Sequence, residues 1–171
     1  GGNVTLQIGE EEVVRVVNKT GSDISNGKVV YLTGAQGQRP KVGLAKANSD
    51  LTSATTIGVT TEAIAKNLEG FVTTAGLVHD IDLSMFLEGD IVYLSPTTAG
   101  ELTNVKPIAP QHLVFIGVVV VANANGTLYV KPQNGYELNE LHDVWTNGVA
   151  NGDILQYVSA NSRWQNVASG S

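Results

Sequence analysis

Cysteine is absent from the 171-residue chain, and with it any disulfide framework, thiolate zinc ligand or thiol nucleophile. Charge is sparse. Asp, Glu, Lys and Arg make up 15% of the residues against 42% hydrophobic, the balance of a packed chain rather than a disordered one. Basic charge is sparser still: ten Lys and Arg stand against sixteen Asp and Glu, a net charge of −6. The basic footprint that holds nucleic acid is therefore missing, and no interleaving of aromatics with lysines offers a platform for single strands. Long apolar runs are also missing. The longest, residues 113–122, is interrupted only by Gly117 and reaches about half of the roughly twenty residues that a membrane helix needs. The opening Gly1-Gly2-Asn3 carries neither a basic nor an apolar leader pattern, so no signal peptide is expected.

What is present is turn-forming and β-forming. Nineteen glycines among many Val and Thr favour short strands joined by frequent turns. One phrase organises the chain: Glu88-Gly89-Asp90-Ile91-Val92-Tyr93-Leu94-Ser95, a turn pair feeding a buried strand. It occurs earlier as Asn26-Gly27-Lys28-Val29-Val30-Tyr31-Leu32-Thr33 and later as Asn151-Gly152-Asp153-Ile154-Leu155-Gln156-Tyr157. A second phrase follows the first two copies at similar spacing, Ile57-Gly58-Val59-Thr60 and Ile116-Gly117-Val118-Val119. The pattern predicts an internal duplication, about 10–70 and 71–135, within a β domain spanning 1–135, and a separate tail over 136–171.

In chain order, strands are expected at Val4–Ile8, Val13–Val17, Lys28–Thr33, Val42–Ala47 and Thr56–Thr61. Glu10-Glu11-Glu12 reads as a solvated turn, residues 34–40 as a hairpin loop, and Glu62–Asn67 as one helical turn. Phe71–Thr74 and Leu77–Asp80 read as a hairpin around Ala75-Gly76. Val114–Val121 has no polar face, so it should be covered on both sides, by another sheet or another subunit. Asn125-Gly126 predicts a tight primed hairpin turn. The tail holds both tryptophans, Trp145 and Trp164, with Tyr136 and Tyr157, and a segment so short cannot bury them alone, so it should lie on the main domain or against other chains. Trp145, Tyr157, Trp164, Leu141, Val144 and Leu155 are the candidate oligomer-interface residues.

Candidate chemistry is thin. His79-Asp80-Ile81-Asp82 is the most polar cluster, but strand alternation sets His79 against the two carboxylates. Glu88 and Asp90 sit at a repeated strand entry where Lys28 replaces the carboxylate in the earlier copy. Gly34 to Lys41 lacks the order of a phosphate-binding loop, and no GxSxG elbow accompanies His79, His112 or His142. Asn3, Asn18 and Asn125 head Asn-x-Thr triplets, which matter only in a secretory host. No catalytic, cofactor or metal site is expected, and no enzyme activity.

Residues about 4 to 135 resemble a β-rich domain of tailed-bacteriophage structural proteins. The resemblance rests on Leu6-Gln7-Ile8-Gly9-Glu10-Glu11, Asn18-Lys19-Thr20-Gly21-Ser22, Gly34-Ala35-Gln36-Gly37-Gln38-Arg39-Pro40 and Gly58-Val59-Thr60-Thr61-Glu62-Ala63-Ile64. Gly89 to Ser95 and Ala99-Gly100-Glu101-Leu102-Thr103-Asn104 continue it, in a rhythm also similar to capsid-decoration proteins. Leu141-His142-Asp143-Val144, Asn151 to Tyr157 and Arg163-Trp164-Gln165-Asn166 resemble a segment of phage tail fibres. The resemblance implies a non-enzymatic virion component made in a bacterial cytoplasm, a fibre or spike segment that attaches to the particle and assembles as a homotrimer; the alternatives are a capsid head-decoration protein or a host-glycan receptor-binding module. Its partners would be tail, neck or capsid proteins, with a host surface glycan as a further possible partner and neither nucleic acid nor membrane. The expected fold is all-β, with duplicated small barrel or sandwich units followed by a short oligomerising tail.

Overall fold

The computed structural model describes residues 9–170, so the strand expected at Val4–Ile8 lies outside the described residues. The fold is all-β. Two compact units divide the chain, the first ending at Gly135 and the second running from Tyr136 to Ser171. The first unit contains β1 (Glu11–Asn18), β2 (Val29–Gln36), β3 (Arg39–Leu44), the short helix α1 (Asp50–Ser53), β4 (Thr56–Thr60), β5 (Glu69–Ile81), β6 (Ile91–Leu94), β7 (Leu102–Thr103), β8 (Val114–Val121) and β9 (Gly126–Asn134). These strands form one sheet in the order β1-β3-β2-β4-β5-β9-β8-β6-β7, with a further β1–β5 pairing.

Within that order the same five-strand pattern occurs twice. The first repeat runs β3-β2-β4-β5-β1, and the second runs β7-β6-β8-β9-β5. Val30 of β2 faces Gly58 of β4, as Val92 of β6 faces Gly117 of β8. The turns match bond for bond. Gly27 N–H donates to Thr60 O and Thr60 N–H to Lys28 O; Gly89 N–H donates to Val119 O and Val119 N–H to Asp90 O. Gly27, Gly89 and Gly152 all take positive φ (75°, 87° and 91°), which only glycine adopts at little cost, and each is followed by a strand. Strand β5 closes the first repeat and opens the second, so a boundary near residue 70 falls inside the strand that the repeats share.

The repeats close differently. In the first, β1 pairs in parallel with β3 and antiparallel with β5, completing a five-stranded barrel around Val16, Ile24, Val30, Val42, Ile64 and Val72. In the second, the register places Asp82 and Glu101 where Val17 and Lys41 pair in the first. Two carboxylates oppose one another less favourably than a valine and a lysine, and Glu101 is instead held by the Lys28 ammonium. The second repeat stays open and closes its core against the outside of the first. Its inward residues Val92, Ile116, Leu128 and Val130 share one cluster with Val29, Ala45, Ala47 and Val59, which point outward from the barrel. Alternation along a strand makes this work: Val30 fills the barrel while its neighbour Val29 faces the second core.

Several local expectations give way to tertiary context. Residues 71–80 form no hairpin: β5 is one strand of 13 residues, because its first half pairs with β1 and β4 and its second with β9. Glu62–Asn67 forms no helical turn, since Ile64 pairs with Ile24 as an isolated bridge. Glu11 and Glu12 belong to β1 rather than to a turn, and Glu11 accepts a hydrogen bond from Thr73 Oγ1. The loop after β2 shrinks to Gly37-Gln38, and α1 occupies the polar connection that follows β3. Neither Asn125 nor Gly126 takes positive φ; the β8–β9 loop is a wider turn in which Asn123 Oδ1 accepts the Asn125 N–H. Asn18, the head of an Asn-x-Thr triplet, is buried, and its amide donates to Ser22 O and Ile64 O.

The second unit is a three-stranded sheet. A single 3₁₀ turn, Leu138–Glu140, precedes β10 (Val144–Trp145), β11 (Ile154–Val158) and β12 (Arg163–Val167), ordered β10-β12-β11.

Candidate functional site

The tail sheet keeps its large apolar side chains in solvent. Among its described residues no side chain is buried. Three short strands have too little interior to cover large side chains, so the apolar ones remain in solvent: Trp145 is 44% exposed, Tyr157 51%, Trp164 42% and Leu155 42%.

Register sorts the six candidate interface residues. Tyr157 and Val144 each lie directly opposite Trp164, and Leu155 lies opposite Asn166, so Val144, Leu155, Tyr157 and Trp164 share one face. The Tyr157 and Trp164 rings meet edge to face with centroids 5.5 Å apart. Trp145 lies on the opposite face, where the Arg163 guanidinium sits 4.7 Å from its ring centroid. Leu141 is outside the sheet; its carbonyl accepts the Val144 N–H at the entry to β10.

An aspartate box positions this face, and the sequence reading passed over it. Asp153 Oδ2 accepts the Ala150 N–H and the Asn166 amide, while the Asp153 N–H donates to Ala150 O. The arrangement repeats in the first unit, where Asp90 Oδ2 accepts the Leu87 N–H and the Asn104 amide and the Asp90 N–H donates to Leu87 O. Asp90 therefore has a structural task that Lys28 does not share. The signal was available as the pairing of each Gly-Asp with an asparagine on the returning segment, Asn104 just after β7 and Asn166 within β12. The Asn166 side chain, and then the Ala150 N–H, hold the Asp153 carboxyl below its ordinary value of 3.8. A carboxyl lowered on folding adds stability above its unfolded pKa and loses that contribution as pH falls through the folded value. An NMR titration should place the Asp153 carboxyl below 3.8 in the native chain and nearer to 3.8 in Asn166→Ala. Equal values in the two proteins would contradict the box.

The polar clusters of the first unit converge less. His79 Nδ1 lies 3.2 Å from Thr127 Oγ1, and His112 Nδ1 lies 3.0 Å from Asp50 Oδ1. Where the second repeat stays open there is a cavity of about 260 Å³, lined by Asn26, Lys28, Asp82, Phe86 and Glu101 among others. Asp82 accepts bonds from the Ser84 hydroxyl and N–H, which lower its pKa, so it holds no proton to donate at neutral pH. Among the described residues no three His, Asp or Glu side chains come together as a metal site, and no helix is long and apolar enough to cross a membrane.

No protein family matches the chain, and no curated protein matches it.

Proposed function

We propose that the chain is a non-enzymatic structural component of a tailed-bacteriophage virion, a fibre or spike segment that assembles as a homotrimer. One observation carries the reading: the tail sheet holds Val144, Leu155, Tyr157 and Trp164 on one face with no interior of its own to receive them. Such a surface is stabilised when other protomers cover it, and buried Trp and Tyr are the usual anchors of such contacts. The resemblance of residues 138–167 to a tail-fibre segment, and of the first unit to virion β domains, supplies the setting. Assembly is then the mechanism: the first unit attaches to tail, neck or capsid proteins, and the tail clasps protomers together.

Burying one such aromatic contributes on the order of 2 to 3 kcal/mol. Trp164→Ala is therefore expected to weaken the oligomer by one to two orders of magnitude in dissociation constant, read by sedimentation across a dilution series. A variant that keeps the wild-type mass at micromolar dilution would remove the tail from this role.

A further inference from the structure

Five Asn-Gly pairs occur in the chain: Asn26-Gly27, Asn125-Gly126, Asn134-Gly135, Asn147-Gly148 and Asn151-Gly152. The pair is chemically reactive. The backbone nitrogen that follows an asparagine can attack that residue's own side-chain carbonyl carbon, and glycine has no Cβ to crowd the approach. The nitrogen must lose its proton, and the asparagine must swing its side chain over the following peptide. A fold therefore decides which pairs react, because a glycine N–H held in a hydrogen bond must first be released by local opening.

The first unit restrains its three pairs. Gly27 is buried, its N–H donates to Thr60 O at 2.9 Å, and the Asn26 amide donates to Asp80 O. Gly135 N–H donates to Leu113 O at 2.7 Å, and the Asn134 amide donates to Ala54 O. Gly126 is buried at the start of β9, in register with Ile81. The tail leaves its two pairs free. Asn147, Gly148, Asn151 and Gly152 are all exposed. Among the described residues neither glycine N–H has a hydrogen-bond partner, and neither asparagine side chain has one. Asn147 is held through its backbone alone, whose N–H donates to Asn166 Oδ1 and whose carbonyl accepts the Asn166 amide.

We propose that Asn147 and Asn151 are sites of spontaneous deamidation. The Gly148 or Gly152 nitrogen bonds to the asparagine Cγ and gives up its proton. The side-chain nitrogen takes up a proton and leaves as ammonia, and the product is a five-membered succinimide. Water then opens the ring at either carbonyl. One opening gives aspartate; the other gives isoaspartate, in which the backbone runs through the side-chain carbon. The balance is one water taken up and one ammonia released. Both products carry a carboxylate, so each conversion adds one negative charge at neutral pH. At residue 151, isoaspartate also lengthens by a methylene the turn that the Asp153 N–H closes on Ala150 O, at the entry to β11.

The test is to age the full chain at mildly alkaline pH and map its peptides by mass spectrometry, with chromatographic separation of the aspartate and isoaspartate forms. Asn147 and Asn151 are expected to convert about tenfold faster than Asn26 and Asn134, or more, because the latter react only after local opening. In urea the five pairs should convert at similar rates, since the fold alone distinguishes them. Asn151→Gln should abolish conversion at 151, where the longer side chain would need a less favoured six-membered ring, and leave Asn147 unchanged. The chemistry needs no partner, so a chain that stays monomeric tests it equally well. The inference is overturned if the native chain converts Asn147 and Asn151 no faster than Asn26 and Asn134. It is also overturned if the same ranking persists in urea, which would assign it to local sequence instead of to the fold. Conversion at only one tail site would strike the other from the proposal.

Discussion

Gly117→Ala is expected to destabilise the first unit by about 3 kcal/mol or more. A Cβ at this position would lie 1.9 Å from Tyr129 O and 2.9 Å from its carbonyl carbon, both backbone atoms of the neighbouring strand. No rotamer change relieves such a contact. Strands β8 and β9 must separate, and with them the ladder that carries Val119, Leu128 and Val130 into the shared core. The first repeat contains the same device, since a Cβ on Gly58 would lie 2.0 Å from Thr73 O. Gly89→Ala is the informative control. A Cβ there meets nothing within 4 Å, and only its φ of +87° resists an L residue, a cost of about 1 to 2 kcal/mol. Urea unfolding of the three proteins should rank Gly117→Ala and Gly58→Ala well below Gly89→Ala. A Gly117→Ala protein within about 0.5 kcal/mol of the native chain would contradict the β8–β9 approach.

Phe86→Ala is expected to cost about 3 to 5 kcal/mol, and to lower the Tm by roughly 6 to 20 °C. Phe86 lies in the loop between β5 and β6, and its N–H donates to Leu83 O, which folds the ring back into the core. It is only 6% exposed, and it borders the cavity where the second repeat fails to close. Removing the ring enlarges that cavity beside a core whose walls come from both repeats, Val29 and Val59 from one and Val92 and Leu128 from the other. Both repeats should therefore loosen together, in a single unfolding transition. A Phe86→Ala protein in which Tyr31 and Tyr93 environments melt at separate temperatures would show that the repeats hold their cores independently.

Much of this architecture was written in the repeated phrases. The Gly-Asp and Gly-Lys entries located strand starts, because positive φ at Gly27, Gly89 and Gly152 is a local demand that glycine alone meets cheaply. The Ile-Gly-Val phrases located the strands that those entries pair with, because Gly58 and Gly117 mark places where two backbones touch. The features that escaped notice depend on residues far apart in sequence. Ala75-Gly76 has the composition of a turn, but β1 and β9 hold both halves of β5 extended. Glu62–Asn67 has helical composition, but the bridge from Ile64 to Ile24 decides its path. The shared strand and the open second repeat arise from pairings that no local pattern encodes. In the tail, composition announced exposed aromatics, while the division that sets Trp145 apart from Tyr157 and Trp164 follows from register.

The central claim, that this chain works by assembling through its tail, is tested most directly by solution mass. Sedimentation of the whole chain would be compared with a chain ending at Gly135, which retains both buried clusters of the first unit. The account predicts a trimer for the whole chain and a fall to monomer when the tail is removed. The same number of protomers in both proteins, whether one or several, would contradict it.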